Sequence, residues 1–193
     1  MKVTGFTTRM VRVPREQGPT VQGEALFVAL QLHTDQGLDG VGFAGFGSAL
    51  MAKALMDLYL YFRYRTALPR PVVELAILIT GREWNAGFEW FMHYPIAKTE
   101  GLTDELLVPL REGKRPAAMK ADEAAAYDFA IELLRTHRVS DATYQKALSV
   151  FGEKNLVDLT SLIATYSTYA ALINVNQLPL PAGEPAMRYL PAK

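Results

Sequence analysis

The chain has 193 residues and no cysteine, only three histidines and two tryptophans, and no excess of charge, since 20 Lys plus Arg stand against 20 Asp plus Glu. Each shortage narrows the chemistry. Without a thiol there can be no disulfide, no thiolate metal ligand, no sulfur nucleophile and no dithiol redox pair. With a net charge of zero, no global field draws in nucleic acid or an anionic membrane, and neither is expected as a partner. The N-terminal "MKVTGFTTRMVRVPREQGPT" alternates where a signal peptide would run apolar, and no window of about 18 apolar residues marks a membrane span. The expectation is a cytoplasmic globule, with half its residues hydrophobic and so enough to build a core.

What is present divides in two. Residues 1–48 alternate with a period near two in "KVTGFTTRMVRV", "ALFVALQLHT" and "LDGVGFAGFG", with Thr34, Asp35, Gln36 and Gly37 as a turn signal, which reads as a small antiparallel β-meander. Gly40, Gly42 and Gly45 match G-x-G-x-x-G in form. The match neither follows a strand in a βαβ unit nor opens a helix, so no dinucleotide site is expected.

From residue 49 the period becomes helical. A first helix, "SALMAKALMDLYLYFRYR", has Ser48 as cap. Pro71 suits the first turn of a second, "VVELAILITGREWN"; a third, "FEWFMHYPIAKTE", is restricted or kinked by Pro95. "TDELLVPLREG", "KADEAAAYDFAIELLRTHR" and "SDATYQKALSVF" follow, the last capped by Ser140 or Asp141 and stopped at Gly152. "EKNLVDLTSLIATYSTYAALINVNQ" is apolar on most faces and is expected to be buried in the core or between subunits. The division is thus a meander over 1–48, a helical domain over 49–183 and an extended Pro-rich tail over 184–193.

Glu74, Glu89 and His93 stand in mostly apolar surroundings. At a spacing of four on one helix, Glu89 and His93 face the same side, and a carboxylate beside an imidazole fixes its tautomer for proton transfer near neutral pH. Glu74, among Val72, Val73, Leu75, Ile77 and Leu78, needs a partner in so apolar a setting, with Arg70 or Arg82 at hand. Trp84, Phe88, Trp90, Phe91 and Tyr94 crowd the same segment as core or as pocket wall. Tyr166, Tyr169, Asn174 and Asn176 place hydroxyls and amides on the last helix, to line a pocket or to bridge helices and subunits. His33 and His137 read as structural. Glu89 and His93 alone supply two ligands where zinc takes three or four, so no metal is expected.

At these residues, in "LYFRYRTALPRPVVELAILITGREWNAGFEWFMHYPIAKTEGLTDE", "DFAIELLRTHRVSDATYQKAL" and "NLVDLTSLIATYSTYAALINVNQLPLP", the chain resembles the carboxymuconolactone decarboxylase family over about residues 56–183. That family shares an all-helical fold with the alkylhydroperoxidase D-like proteins. The resemblance implies a mainly α fold, assembly into trimers or hexamers, and cofactor-free acid–base chemistry on a carboxylated lactone or similar small carboxylate. In the peroxidase branch the pattern is Glu-x11-Cys-x2-Cys-x3-His; here Glu74 and His93 match, while Ala86 and Glu89 occupy the cysteine positions. Thiol peroxidase chemistry is therefore excluded. The roles implied are His93 as proton donor or base, Glu89 as its orienter and Glu74 as a second acid–base group. Arg70 or Arg82 would anchor a substrate carboxylate, and Trp84, Trp90 and Tyr166 would line the substrate site.

The first 50 residues resemble instead the capping segment of the enolase superfamily, in "MKVTGFTTRMVRVP" and "FVALQLHTDQGLDGVGFAGFGSALMAKAL". No (β/α)8 barrel follows, so no catalytic role comes with this likeness. Two expectations of different class result: a cofactor-free carboxy-lyase, and a non-catalytic oligomeric helical protein left by a fusion.

Overall fold

The computed structural model describes residues 3–14, 24–35, 40–44, 49–176, 178, 180 and 183–191. Two compact units, Met1–Leu60 and Tyr61–Lys193, make up the chain. In the first, β1 (Val3–Pro14), β2 (Glu24–Thr34) and β3 (Gly40–Ala44) form a three-stranded antiparallel sheet in the order β1-β2-β3. Met10 pairs with Val28, and Gly40 and Gly42 stand opposite Leu32 and Leu30. Gln36, Gly37, Gly45 and Ser48, to which a turn, the glycine pattern and a helix cap were assigned, lie outside the described residues.

Among the described residues six α-helices follow: α1 (Ala49–Tyr64), α2 (Arg70–Glu83), α3 (Gly87–Thr99), α4 (Asp104–Arg111), α5 (Ala121–Thr136) and α6 (Asp141–Asn176). The boundary between the two units falls inside α1. Pro71 sits in the first turn of α2, where its missing N–H costs no helical bond. α2 is buried without interruption from Val72 to Gly81, packed among α3, α5 and α6. It is the central helix, and a carboxylate between Val72 and Gly81 cannot reach solvent.

The burial expected of the long apolar helix is met in the core on one of its faces only. The all-round buried helix is α2; α6 buries Leu156, Leu159, Leu162, Ile163 and Tyr166 but leaves Val157 at 64% and Val175 at 79% exposure. α6 also has the length and hydropathy of a membrane span, contrary to the expectation that no such window exists. Its buried face forms part of the core shared with α2 and α5. Ser140 caps α6, its Oγ accepting from the Thr143 N–H at 3.4 Å. Gly152, at φ 72° and ψ 166°, breaks it into two helical stretches, as the sequence indicates.

The tail is not simply extended. Ala186–Arg188 form a 3-10 turn docked on α3, with Trp90 Nε1 donating to the Met187 carbonyl at 3.0 Å. Pro95 sits inside α3 without ending it. Having no N–H, it leaves the Phe91 carbonyl one turn back without its helical donor. Arg188 Nη2 approaches that carbonyl at 3.4 Å, and its guanidinium carbon lies 3.7 Å from the centroid of the Phe91 ring.

Candidate acid–base site

The α2–α3 hairpin builds the site. Asn85, at φ 51°, lets the chain reverse after α2, so that α3 runs back along it and brings His93 to Glu74. Glu74 is fully buried. Its Oε1 accepts from Arg63 Nη1 and, at 3.0 Å, from Arg70 Nη2; its Oε2 lies 2.8 Å from His93 Nδ1. A carboxylate oxygen only accepts, so His93 donates through Nδ1, and in a neutral ring the free lone pair is then on Nε2. The ring is further held edge-on by Tyr166, with centroids 5.4 Å apart, and Tyr166 meets Tyr169 in the same way at 5.2 Å.

Two guanidiniums on one oxygen and an imidazole on the other make this a charge-compensated buried carboxylate, the condition under which burial is tolerable. The side chain of His93 keeps 13% of its surface. The hydrogen-bond partner of His93 is therefore Glu74, not Glu89. Helical spacing made Glu89 the natural candidate, but the bond is made across the hairpin.

Glu89 is 3% exposed and its Oε2 is buried with no hydrogen-bond partner among the described residues. Burial raises its pKa well above the ordinary carboxylate value. It packs against α2 at Gly81, where a Cβ would stand 3.5 Å from Glu89 Cγ.

The remaining candidates separate. Arg70, proposed as a substrate anchor, is engaged by Glu74 and by the Phe62 and Arg63 carbonyls. Arg82 lies elsewhere, beside Gly113, with buried Nε and Nη1 lacking partners among the described residues. Trp90 is fully buried and holds the tail. Trp84, 43% exposed, joins Phe88, Ile173, Asn174 and Leu180 around a separate cleft at the hairpin turn; Asn174 Nδ2 donates to its carbonyl at 2.8 Å. Asn176 Nδ2 turns back on its own helix, to the Leu172 carbonyl. His137 caps α5 in the left-handed region at φ 60°. Among the described residues no three His, Asp or Glu converge on a point that could hold a metal.

Sequence reasoning missed Arg63, because nothing in a pattern says that the end of α1 meets the start of α2. It missed Asp158 as well. That carboxylate, 7% exposed on α6, accepts from Tyr61 at 2.9 and 3.0 Å and from Thr66 at 2.7 Å. It thereby ties down the chain between Arg63 and Arg70. The hydrogen bond to Asp158, then burial, raises the Tyr61 pKa.

No family model matches the chain. No curated protein matches it either. Among solved structures, it is similar to a protein of unknown function from Agrobacterium tumefaciens whose suggested role is antioxidant defence, as AhpD. The TM-score is 0.62 and the identity 15%, over 70% of this chain and 94% of that one. At that identity the likeness establishes a shared fold, the all-α AhpD-like fold, and leaves activity to be argued from the site.

Proposed function

We propose that the helical unit is a cofactor-free acid–base enzyme in which His93, oriented by Glu74, moves a proton on a small carbonyl compound. The observation that carries this reading is the Glu74–His93 bond of 2.8 Å. A fully buried carboxylate fixes the imidazole tautomer and leaves Nε2 available, which is the arrangement of a general base with its orienting group. Arg63 and Arg70 hold Glu74 in place; they are positioning residues.

The resemblance of residues 56–183 to the carboxymuconolactone decarboxylase family suggests a lactone as substrate, with loss of CO2 from a carboxylated one. An antioxidant role of the kind suggested for the Agrobacterium protein, if run through thiols, has no nucleophile in a chain without cysteine. The N-terminal likeness to an enolase-type cap supplies no residue to this reading. The alternative of a non-catalytic relic is disfavoured by the same bond, since a relic has no need to keep a buried carboxylate aimed at a partly open imidazole.

The test is proton NMR of purified protein with carboxylated lactones, uncharged lactones and β-keto acids, with CO2 release followed in parallel. His93→Ala is expected to lower turnover by about 100-fold or more, the usual worth of a positioned general base, with helical content unchanged. Full turnover in that variant would remove His93 from the chemistry.

A further inference from the structure

Glu74 and Glu89 are both withdrawn from water at the α2–α3 contact, and the protein treats them in opposite ways. Glu74 has three cationic or proton-donating partners. Glu89 Oε2 has none among the described residues. Glu89 stands in the first turn of α3, where the helix dipole favours a carboxylate. Burial opposes that preference and favours the neutral carboxyl, raising its pKa well above the ordinary carboxylate value. A protonated carboxyl is an O–H donor, and a buried donor without an acceptor is a standing cost to the fold. The acceptor that would relieve it is not supplied by the described residues. Glu89 also lies one helical turn before His93 on the same side of α3, which puts their Cβ atoms about 5–6 Å apart.

We propose that Glu89 is a further catalytic residue of this site, a carboxylic acid whose O–H bonds to the carbonyl oxygen of an uncharged lactone or ketone while His93 removes a proton from the adjacent carbon. The proposal rests on the acid–base reading of Glu74 and His93 and narrows it. In the step, His93 Nε2 takes the proton. The C–H electron pair becomes a carbon–carbon double bond, and the carbonyl π pair moves onto the oxygen held by Glu89. The proton then returns from His93 to the same carbon or to its conjugated neighbour. Nothing is oxidised or reduced, and no co-reactant enters. The substrate is uncharged because the two arginines at the site are both spent on Glu74 Oε1. Arg82 packs beside Gly113, about two turns along α2 from Glu74.

The experiment uses full-length protein as wild type, Glu89→Gln, Glu89→Leu and His93→Ala, with γ-butyrolactone and cyclohexanone as probes. Exchange of the probes' α-protons with D2O is followed by proton NMR. The infrared difference between wild type and Glu89→Gln is read at neutral pH for the C=O stretch of a protonated carboxyl, with and without each probe. The expected result is that the band is present and shifts to lower frequency when a probe binds. Exchange then falls about 100-fold in Glu89→Leu and less in Glu89→Gln, which keeps a weaker donor.

If the band is absent, or is present and moved by neither probe, the role of Glu89 is overturned, and His93-dependent exchange still upholds the Glu74–His93 reading. If the band moves but exchange is absent or indifferent to His93→Ala, it is the Glu74–His93 reading that fails, and the catalytic role of Glu89 with it; the hydrogen bond to the probe alone survives.

Discussion

Glu74 gives the protein a buried negative charge that its neighbours compensate, so removing that charge should cost more than an ordinary polar substitution. Glu74→Gln keeps the shape and takes from Arg63 and Arg70 the carboxylate that they share. The expected loss is roughly 3–5 kcal/mol, the range for breaking one side of a buried ion pair, measured by urea denaturation. Glu89 predicts the opposite sign. Its folded pKa is raised by burial, so its contribution to stability is fully present below the ordinary carboxylate range and is lost as pH rises through the folded value. Glu89→Gln, neutral at every pH, should flatten the decline of the urea midpoint as pH rises above the ordinary carboxylate range and change little below it. An unchanged pH profile would mean that Glu89 ionises freely. Glu74, Glu89 and His93 could be picked out of the sequence by their type and apolar setting, whereas Arg63 could not. Their pairing could not, because the i,i+4 rule sees one helix at a time, and the bond that forms crosses from α3 to α2.

Gly152 tests the same logic for an element. At φ 72° and ψ 166° it occupies backbone space that residues with a Cβ avoid, and a Cβ added there would meet nothing within 4 Å. The penalty of Gly152→Ala is therefore conformational, about 1–3 kcal/mol, visible as a lowered Tm with the fold retained. The helices were legible because each begins or ends at a residue with a mechanical reason to do so: Pro71 at the start of α2, Ser140 before α6, Gly152 at its break. Burial was less legible. The periodicity of "VVELAILITG" and of "LTSLIATYSTYAALI" is similarly apolar, and only packing decides that α2 is surrounded while α6 is half open. The docking of the tail was hidden for another reason. It depends on a carbonyl freed by Pro95 and reached by Arg188, 97 residues from Phe91, a consequence of folding that no local window contains.

For the whole molecule the open face of α6 is the feature still to be accounted for. Val157, Ser161, Ala164, Thr168, Ala171 and Val175 follow one another at steps of four and three along the helix, as the seam of a helix pair does. Val157, Ala164, Thr168 and Val175 are exposed, and none of the six carries charge. Asp158, the one acidic residue in the stretch, turns inward to Tyr61 and Thr66. Small side chains let a second helix come close, and self-association through this face, as a trimer or hexamer, is the assembly we propose. Ala164→Glu places a carboxylate at the middle of the seam without touching the core on the other side of the helix. Sedimentation analysis should then show the variant at lower mass than wild type, with its circular dichroism unchanged. If the wild type is already monomeric, or if the variant keeps the wild-type mass, the seam is not an interface. The exposed valines of α6 would then be surface residues without a partner, and assembly would have to be sought on another face.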